Sequence, residues 1–248
     1  MRFLTQRGVE VPAVSGEQMR EIDRIAITGT GPTVPQMMEN AGRSLASVAI
    51  RALGERWRER TIVILAGGGG NGGGGICAGR HLMNHGARVV LVRADGHRHG
   101  DAARSQLALY HAAGGQEVPA SALGSVAPAL IIDALVGYGL VDPPRGEVAD
   151  LIQWANALPA STLSLDLPSG IDATTGASPG VALTAHTTLT LALPKLGLCA
   201  RQAGTLRLAD IGIPAGVYGA IGLSYSPPFG REWDIPLRRV ATTREVSV

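Results

Sequence analysis

Aromatic side chains are scarce in this sequence, at 4% of 248 residues, and charged residues make up only 17%. A typical domain carries about a quarter charged residues. Few charges amid abundant Ala, Val, Leu and Ile is not a disordered composition. The two cysteines, Cys77 and Cys199, lie far apart and fit no metal or redox spacing. Both read as reduced cytosolic thiols, buried as small hydrophobes. No apolar run approaches the ~18 residues of a membrane span, so no membrane partner is expected. The opening MRFLTQRGVEVPAVSGEQ lacks the apolar core of a signal peptide, and a cytoplasmic location is expected. Net charge is +2, no basic stripe is visible, and the aromatics are too few for base stacking, which argues against nucleic acid.

What is abundant is glycine, with 34 residues and no every-third-residue period of the collagen kind. The pattern around it is regular. Ser15 to Thr28 reads as a helix capped by Ser15, and a second helix runs from about Val34 to Leu53. TIVILA (61–66) is a continuous apolar, β-branched run, the mark of a strand buried on both faces. GGGGNGGGG (67–75) follows as a loop, and 76–86 reads as a helix closed by Gly86. Further strands are expected at 88–94, 129–137, 162–168, 187–193 and 205–211, with helices at 101–113 and 146–158. Strand and helix in alternation argue for a parallel sheet covered on both faces. We expect one domain over 1–223 and a C-terminal tail over 224–248.

In open α/β sheets, ligands bind beyond the carboxyl ends of the strands. Three such ends carry suggestive residues. The glycine run at 67–75 lies between a strand and a helix, where backbone N–H groups and the helix dipole suit a phosphate. It matches neither a Walker pattern nor a clean dinucleotide fingerprint. Asp133 and Asp166 each sit in an apolar strand, where a carboxylate is costly unless paired, ligated or hydrogen-bonded. Pro168-Ser169-Gly170 turns sharply after Asp166 and brings Ser169 toward the same crevice. His81 and His85 have a helical zinc spacing but no glutamate in the required place. His97 and His99 read as a solvated loop.

Asn71-Gly72-Gly73, Asp133-Ala134-Leu135 with Gly137 and Gly139, and DLPSGID (166–172) together resemble the NAD(P)H-hydrate epimerase family, the YjeF N-terminal domain. EQMREID (17–23), MMENAGR (37–43), LPKLG (193–197) and ADIGIP (209–214) extend the resemblance over roughly residues 15–215. It implies a Rossmann-like three-layer α/β/α sandwich with a mostly parallel central sheet, and a homodimer. It implies epimerisation of hydrated NAD(P)H from R to S as metabolite repair. It implies a potassium ion held by Asn71, Asp133 and Ser169, oxygen ligands that suit a hard cation. The nucleotide-like substrate would meet Gly70, Asn71, Gly72, Gly73, Gly74, Gly137, Tyr138, Gly139, Leu140 and Asp166. Asp166 would be the catalytic acid/base.

The loop departs from the family's usual Gly-Pro-Gly-Asn-Asn-Gly-Gly-Asp-Gly. Gly68 stands for its Pro, Gly70 for its first Asn and Gly74 for its Asp. Val136 and Tyr138 replace other usual residues. Lys195, in Pro-Lys-Leu-Gly, either touches substrate or holds a strand end. Three readings stay open: the family epimerase, a relative repurposed for another substrate such as a biosynthetic intermediate, and a catalytically silent binding or scaffold protein.

Overall fold

The computed structural model describes residues 1–94, 100–199 and 201–241. His97 and His99 lie outside the described residues. The strands are β1 (Arg2–Thr5), β2 (Glu10–Val11), β3 (Thr61–Ala66), β4 (Arg88–Arg93), β5 (Leu130–Ala134), β6 (Ser161–Leu165), β7 (Thr187–Leu191), β8 (Thr205–Ala209) and β9 (Asp234–Val240). They form one nine-stranded sheet in the order β2-β1-β9-β8-β7-β6-β5-β3-β4. From β4 to β8 every pairing is parallel, while β9, β1 and β2 join antiparallel.

Side chains on a strand alternate between faces, and β3 shows what that means for a continuous apolar run. Ile62, Ile64 and Ala66 pack into one core, while Val63 and Leu65 pack into another. The first core is covered by α2 (Val34–Leu53), α3 (Gly70–Asn84) and α4 (Asp101–Ala112), the second by α5 (Gly146–Ala157). A third cluster joins α1 (Gly16–Ile25) and α6 (Ala215–Ala220) to β8, β9 and the N-terminal strand. The layers are those expected of a Rossmann-like sandwich. Ser15 caps α1 with a full capping box, its hydroxyl accepting from the Gln18 backbone N–H. Gly86 leaves the end of α3 at φ +89, the left-handed conformation that favours glycine.

Four expectations are corrected. Cys199, expected to be buried, is exposed, while Cys77 is buried as expected. The glycine run is not a nine-residue loop, because α3 begins at Gly70 and only residues 67–69 turn. Glycine in a helix costs up to ~1 kcal/mol against alanine, so something else requires it. A Cβ at Gly75 would lie 2.5 Å from the Ala134 side chain, and at Gly73 2.6 Å from Met38. The glycines let α3 approach the sheet and α2 more closely than any side chain allows. Asp166 is not inside a strand; it is the first residue beyond β6, in the left-handed region at φ +69. Within the segment expected as a tail, Asp234–Val240 is instead β9, seated between β1 and β8. Pro236 disguises this strand, since proline within an apolar run usually marks a strand edge or a break. Its first residue is clamped: Asp234 accepts from Arg51 of α2 at 2.6 and 2.7 Å and also from Arg207 of β8. The last residues, 242–248, lie outside the described residues.

Candidate active site

The sheet reverses its winding direction at β3, with β4 on one side and β5 on the other. This switch point opens a crevice at the carboxyl ends of the strands. A cavity of about 590 Å³ occupies it, large enough for a substantial part of a small-molecule ligand. Its walls come from the turn after β3 and the start of α3 (Gly68, Gly69, Gly70, Asn71, Gly74), and from the segment after β5 (Leu135 to Gly139). Asp166 and Lys195 stand beyond β6 and β7, and α1 closes the side with Met19, Arg20 and Asp23.

Asp166 and Lys195 are the centre of charge. Both are nearly fully buried, at 3% and 1% exposure. The Lys195 ammonium donates to Asp166 Oδ1 and, at 2.8 Å, to the Leu191 carbonyl. The Leu191 backbone N–H donates to Asp166 Oδ1 at 3.2 Å. The Lys195 backbone is pinned by the N-terminal segment: Val14 N–H donates to the Pro194 carbonyl at 3.0 Å, and Leu196 N–H to the Val14 carbonyl at 2.9 Å. The positive φ of Asp166 turns its carboxylate out of the strand direction into this pocket. A non-glycine residue held there is strained by roughly 1–2 kcal/mol, and such strain is tolerated where surrounding contacts fix it.

A second polar pair shares the wall. Tyr138 donates its hydroxyl to Asp23 Oδ2, and its ring centroid lies 5.8 Å from the Lys195 nitrogen. Burial pushes the Asp23 carboxyl up, against the opposing pull of the Tyr138 hydroxyl and the Lys195 charge. Burial and the nearby Asp23 charge push the Tyr138 phenol up as well.

Behind the wall, Asp133 and Ser169 form a closed knot at 0% exposure. Asp133 accepts from the Ser169 hydroxyl, from Ser169 N–H at 2.9 Å, from the Ser164 hydroxyl at 2.8 Å and from Leu135 N–H at 3.3 Å. Val136 N–H donates to Ser169 Oγ at 2.9 Å, so this knot holds the 135–139 wall in place. Burial raises the Asp133 carboxyl, partly offset by those donors. Asn71 lies across the same segment: a Cβ on Gly137 would sit 3.2 Å from its Oδ1. Among the described residues, the buried Asn71 amide nitrogen has no hydrogen-bond partner.

Of the expected substrate contacts, Gly70, Asn71, Gly74, Gly137, Tyr138, Gly139 and Asp166 stand on the cavity wall. Leu140 is not among the wall residues. Gly72 and Gly73 pack behind it, a Cβ on Gly72 falling 1.8 Å from the Gly67 carbonyl oxygen. Gly70 faces open space, whereas a Cβ on Gly74 would meet the end of Leu165 at 2.7 Å. Arg20 and Asp23 were not singled out from the sequence. Their signal was the spacing of EQMREID, which puts Met19 and Asp23 on one helix face.

Cys77 and His81 have a different setting. Arg80 Nη2 sits among Glu39 (2.6 and 2.7 Å), the Cys77 sulfur (3.6 Å) and His81 Nε2 (3.3 Å). Three potential metal ligands, Glu39, Cys77 and His81, converge here, but a guanidinium fills the place of a cation. Burial and the Glu39 charge raise the Cys77 thiol to about 12, which fits an inert core cysteine. Burial pushes Glu39 up, yet its bonds from Arg80, Cys77 and His81 outweigh this and hold it at about 2. A folded value below the unfolded one stabilises the protein above the unfolded value, and that gain is lost as pH falls toward 2. We expect Glu39→Gln to lower the melting temperature at pH 7, and the gap from wild type to shrink between pH 4.5 and 2. A gap that does not change with pH would contradict this.

The model of the YjeF-related protein N-terminus matches residues 34–197. An NAD(P)H-hydrate epimerase of Dehalogenimonas lykanthroporepellens is 45% identical over 230 residues, covering 92% of this chain and 94% of that protein. A bifunctional NAD(P)H-hydrate repair enzyme of Salinibacter ruber is 36% identical over 82% of this chain and 41% of its own length. The crystal structure of yeast ynu0 shares the fold, with a TM-score of 0.80 and 21% identity, over 91% of this chain and 100% of that one. The chain belongs to the family of YjeF-related N-terminal domains.

Proposed function

We propose that this chain is an isomerase that epimerises hydrated NAD(P)H from R to S, as metabolite repair. The observation that carries the reading is the buried Asp166–Lys195 pair opening onto a cavity bounded by the glycine turn. The turn and the N-terminus of α3 offer backbone N–H groups to the nucleotide's phosphates. The 135–139 wall and the Tyr138 ring flank the place for a nicotinamide ring. Asp166 is the acid/base at the hydroxylated ring carbon. Supplying the folded protein with the R epimer and following the S epimer tests the reading; a rate no faster than the spontaneous one would refute it.

Potassium belongs to the same reading. The donor types suit a hard cation, the Asn71 amide, Asp133 carboxylate and Ser169 hydroxyl all offering oxygen. An ion would take the place on Asp133 that the Ser169 hydroxyl proton holds, that proton turning to the Val136 carbonyl. The unpartnered Asn71 nitrogen also fits, since amide orientation is assigned by its partners. A cation beside Asp133 would favour the charged form that burial disfavours, and would lock the 135–139 wall electrostatically. Binding to the folded state stabilises it, by about 2.7 kcal/mol at a hundredfold excess over Kd. We expect potassium to raise the melting temperature by several degrees over choline at equal ionic strength. We expect Asp133→Asn to remove that difference; an equal response to both salts would refute the site.

A homodimer and a cytoplasmic location complete the reading. Among the described residues, no helix is long and apolar enough to cross a membrane.

A further inference from the structure

Lys195 is the only lysine in the chain, and it is almost fully buried on the cavity wall. An ammonium has three donors. Two are spent, on Asp166 Oδ1 and on the Leu191 carbonyl. Among the described residues it has no third hydrogen-bond acceptor; beyond these two it faces the Tyr138 ring at 5.8 Å, with the Asp23 carboxylate near enough to feel its charge. That leaves one N–H for whatever fills the cavity. Charge balance alone does not explain the choice of a lysine, because arginine would neutralise Asp166 with two parallel hydrogen bonds. What distinguishes lysine is that it can give up its proton and take one back.

We propose that Lys195 is a catalytic residue, the general acid whose partner base is Asp166. The inference rests on the epimerase reading. The hydroxyl of a hydrated nicotinamide sits on a carbon bonded to the ring nitrogen. Lys195 Nζ gives its free proton to that hydroxyl oxygen. The C–O bond breaks with its electron pair on oxygen, water leaves, and the nitrogen lone pair forms a C=N bond. The planar ring turns its other face to the same pair, and a water adds to the carbon there. The new C–O bond forms, the C=N pair returns to nitrogen, and the water's proton goes to Asp166. The Asp166 proton passes to the Lys195 amine across their direct contact. Both groups return to their starting state, and no oxidant, reductant or external acid is consumed.

Two variants test this, with epimerase turnover as the readout and thermal melting as the control for folding. Lys195→Arg keeps the positive charge but holds its proton too tightly to donate it. We expect kcat to fall by about 10²-fold or more with a much smaller change in KM. Lys195→Ala removes the group and leaves room beside the cavity for small primary amines. We expect added amines to restore turnover, with rates that track amine acidity, while guanidine does not. Near-normal turnover by folded Lys195→Arg would overturn the assignment. So would rescue by guanidine as effective as rescue by amines, or no amine rescue of a folded Lys195→Ala. Each of these outcomes leaves an active wild type and the epimerase reading intact. An inactive, folded wild type would refute that reading, and the assignment with it.

Discussion

Asp166→Asn lowers epimerase turnover by about 10² to 10⁴-fold, the range that an acid/base group contributes, and leaves the backbone where it is. Asparagine is among the few residues that tolerate a positive φ, so it can occupy the φ of +69 found here. Its amide oxygen can still accept from Leu191 N–H and Lys195. What it cannot do is take a proton or neutralise the ammonium. Lys195, at 1% exposure, is left charged and unpaired, a change that typically costs about 3–5 kcal/mol. Turnover and stability therefore fall together in the single variant. They separate in the double variant Asp166→Asn with Lys195→Met. Removing both charges abolishes the unpaired one, so stability recovers relative to Asp166→Asn while turnover does not. Calorimetry and turnover on the same samples check this. Recovery of both would mean that Asp166 and Lys195 matter only as structural charges.

The second large effect concerns the glycines. Gly67→Ala and Gly72→Ala should each destabilise the protein by about 3 kcal/mol, the upper end of ordinary overpacking. For a chain of this size that is a fall of roughly 6–12 °C in melting temperature. A Cβ on Gly67 would lie 1.9 Å from the Leu135 carbonyl oxygen, and one on Gly72 1.8 Å from that of Gly67. Both obstacles are backbone, so no rotamer change relieves them. The same alanine substitution at Gly70, where nothing lies within 4 Å, should change stability by less than about 0.5 kcal/mol in magnitude. Thermal melts of the three variants decide the matter. Equal effects at all three positions would mean that the run is a flexible linker.

That contrast shows what composition could and could not tell. The alternation of strand and helix, and the continuous apolar run at 61–66, were legible because burial on both faces imposes a pattern on every residue. The start of α3 was not. Glycine opposes helix locally, and only the nearness of Ala134, Met38 and the Gly67 carbonyl explains it. β9 was hidden for a related reason, its partner β1 lying at the other end of the chain and its Pro236 reading as a break. Asp166 was legible as a misplaced charge in an apolar stretch, but not its left-handed backbone. Its ion pair with Lys195, 29 residues on, is a tertiary fact that motif spacing could only hint at. Asp23 was missed altogether, because one acid on an amphipathic helix resembles any solvated one until Tyr138 closes over it.

On our reading this cavity interconverts the two epimers of hydrated NAD(P)H. A catalyst of that interconversion must drive it from both sides. Pure R and pure S epimers, each incubated with the protein in potassium buffer, should reach the same ratio by chiral-phase chromatography. The approach should be proportional to protein concentration and far faster than without protein. Rates that match the protein-free control from both directions, with a protein that melts cooperatively, would contradict the account.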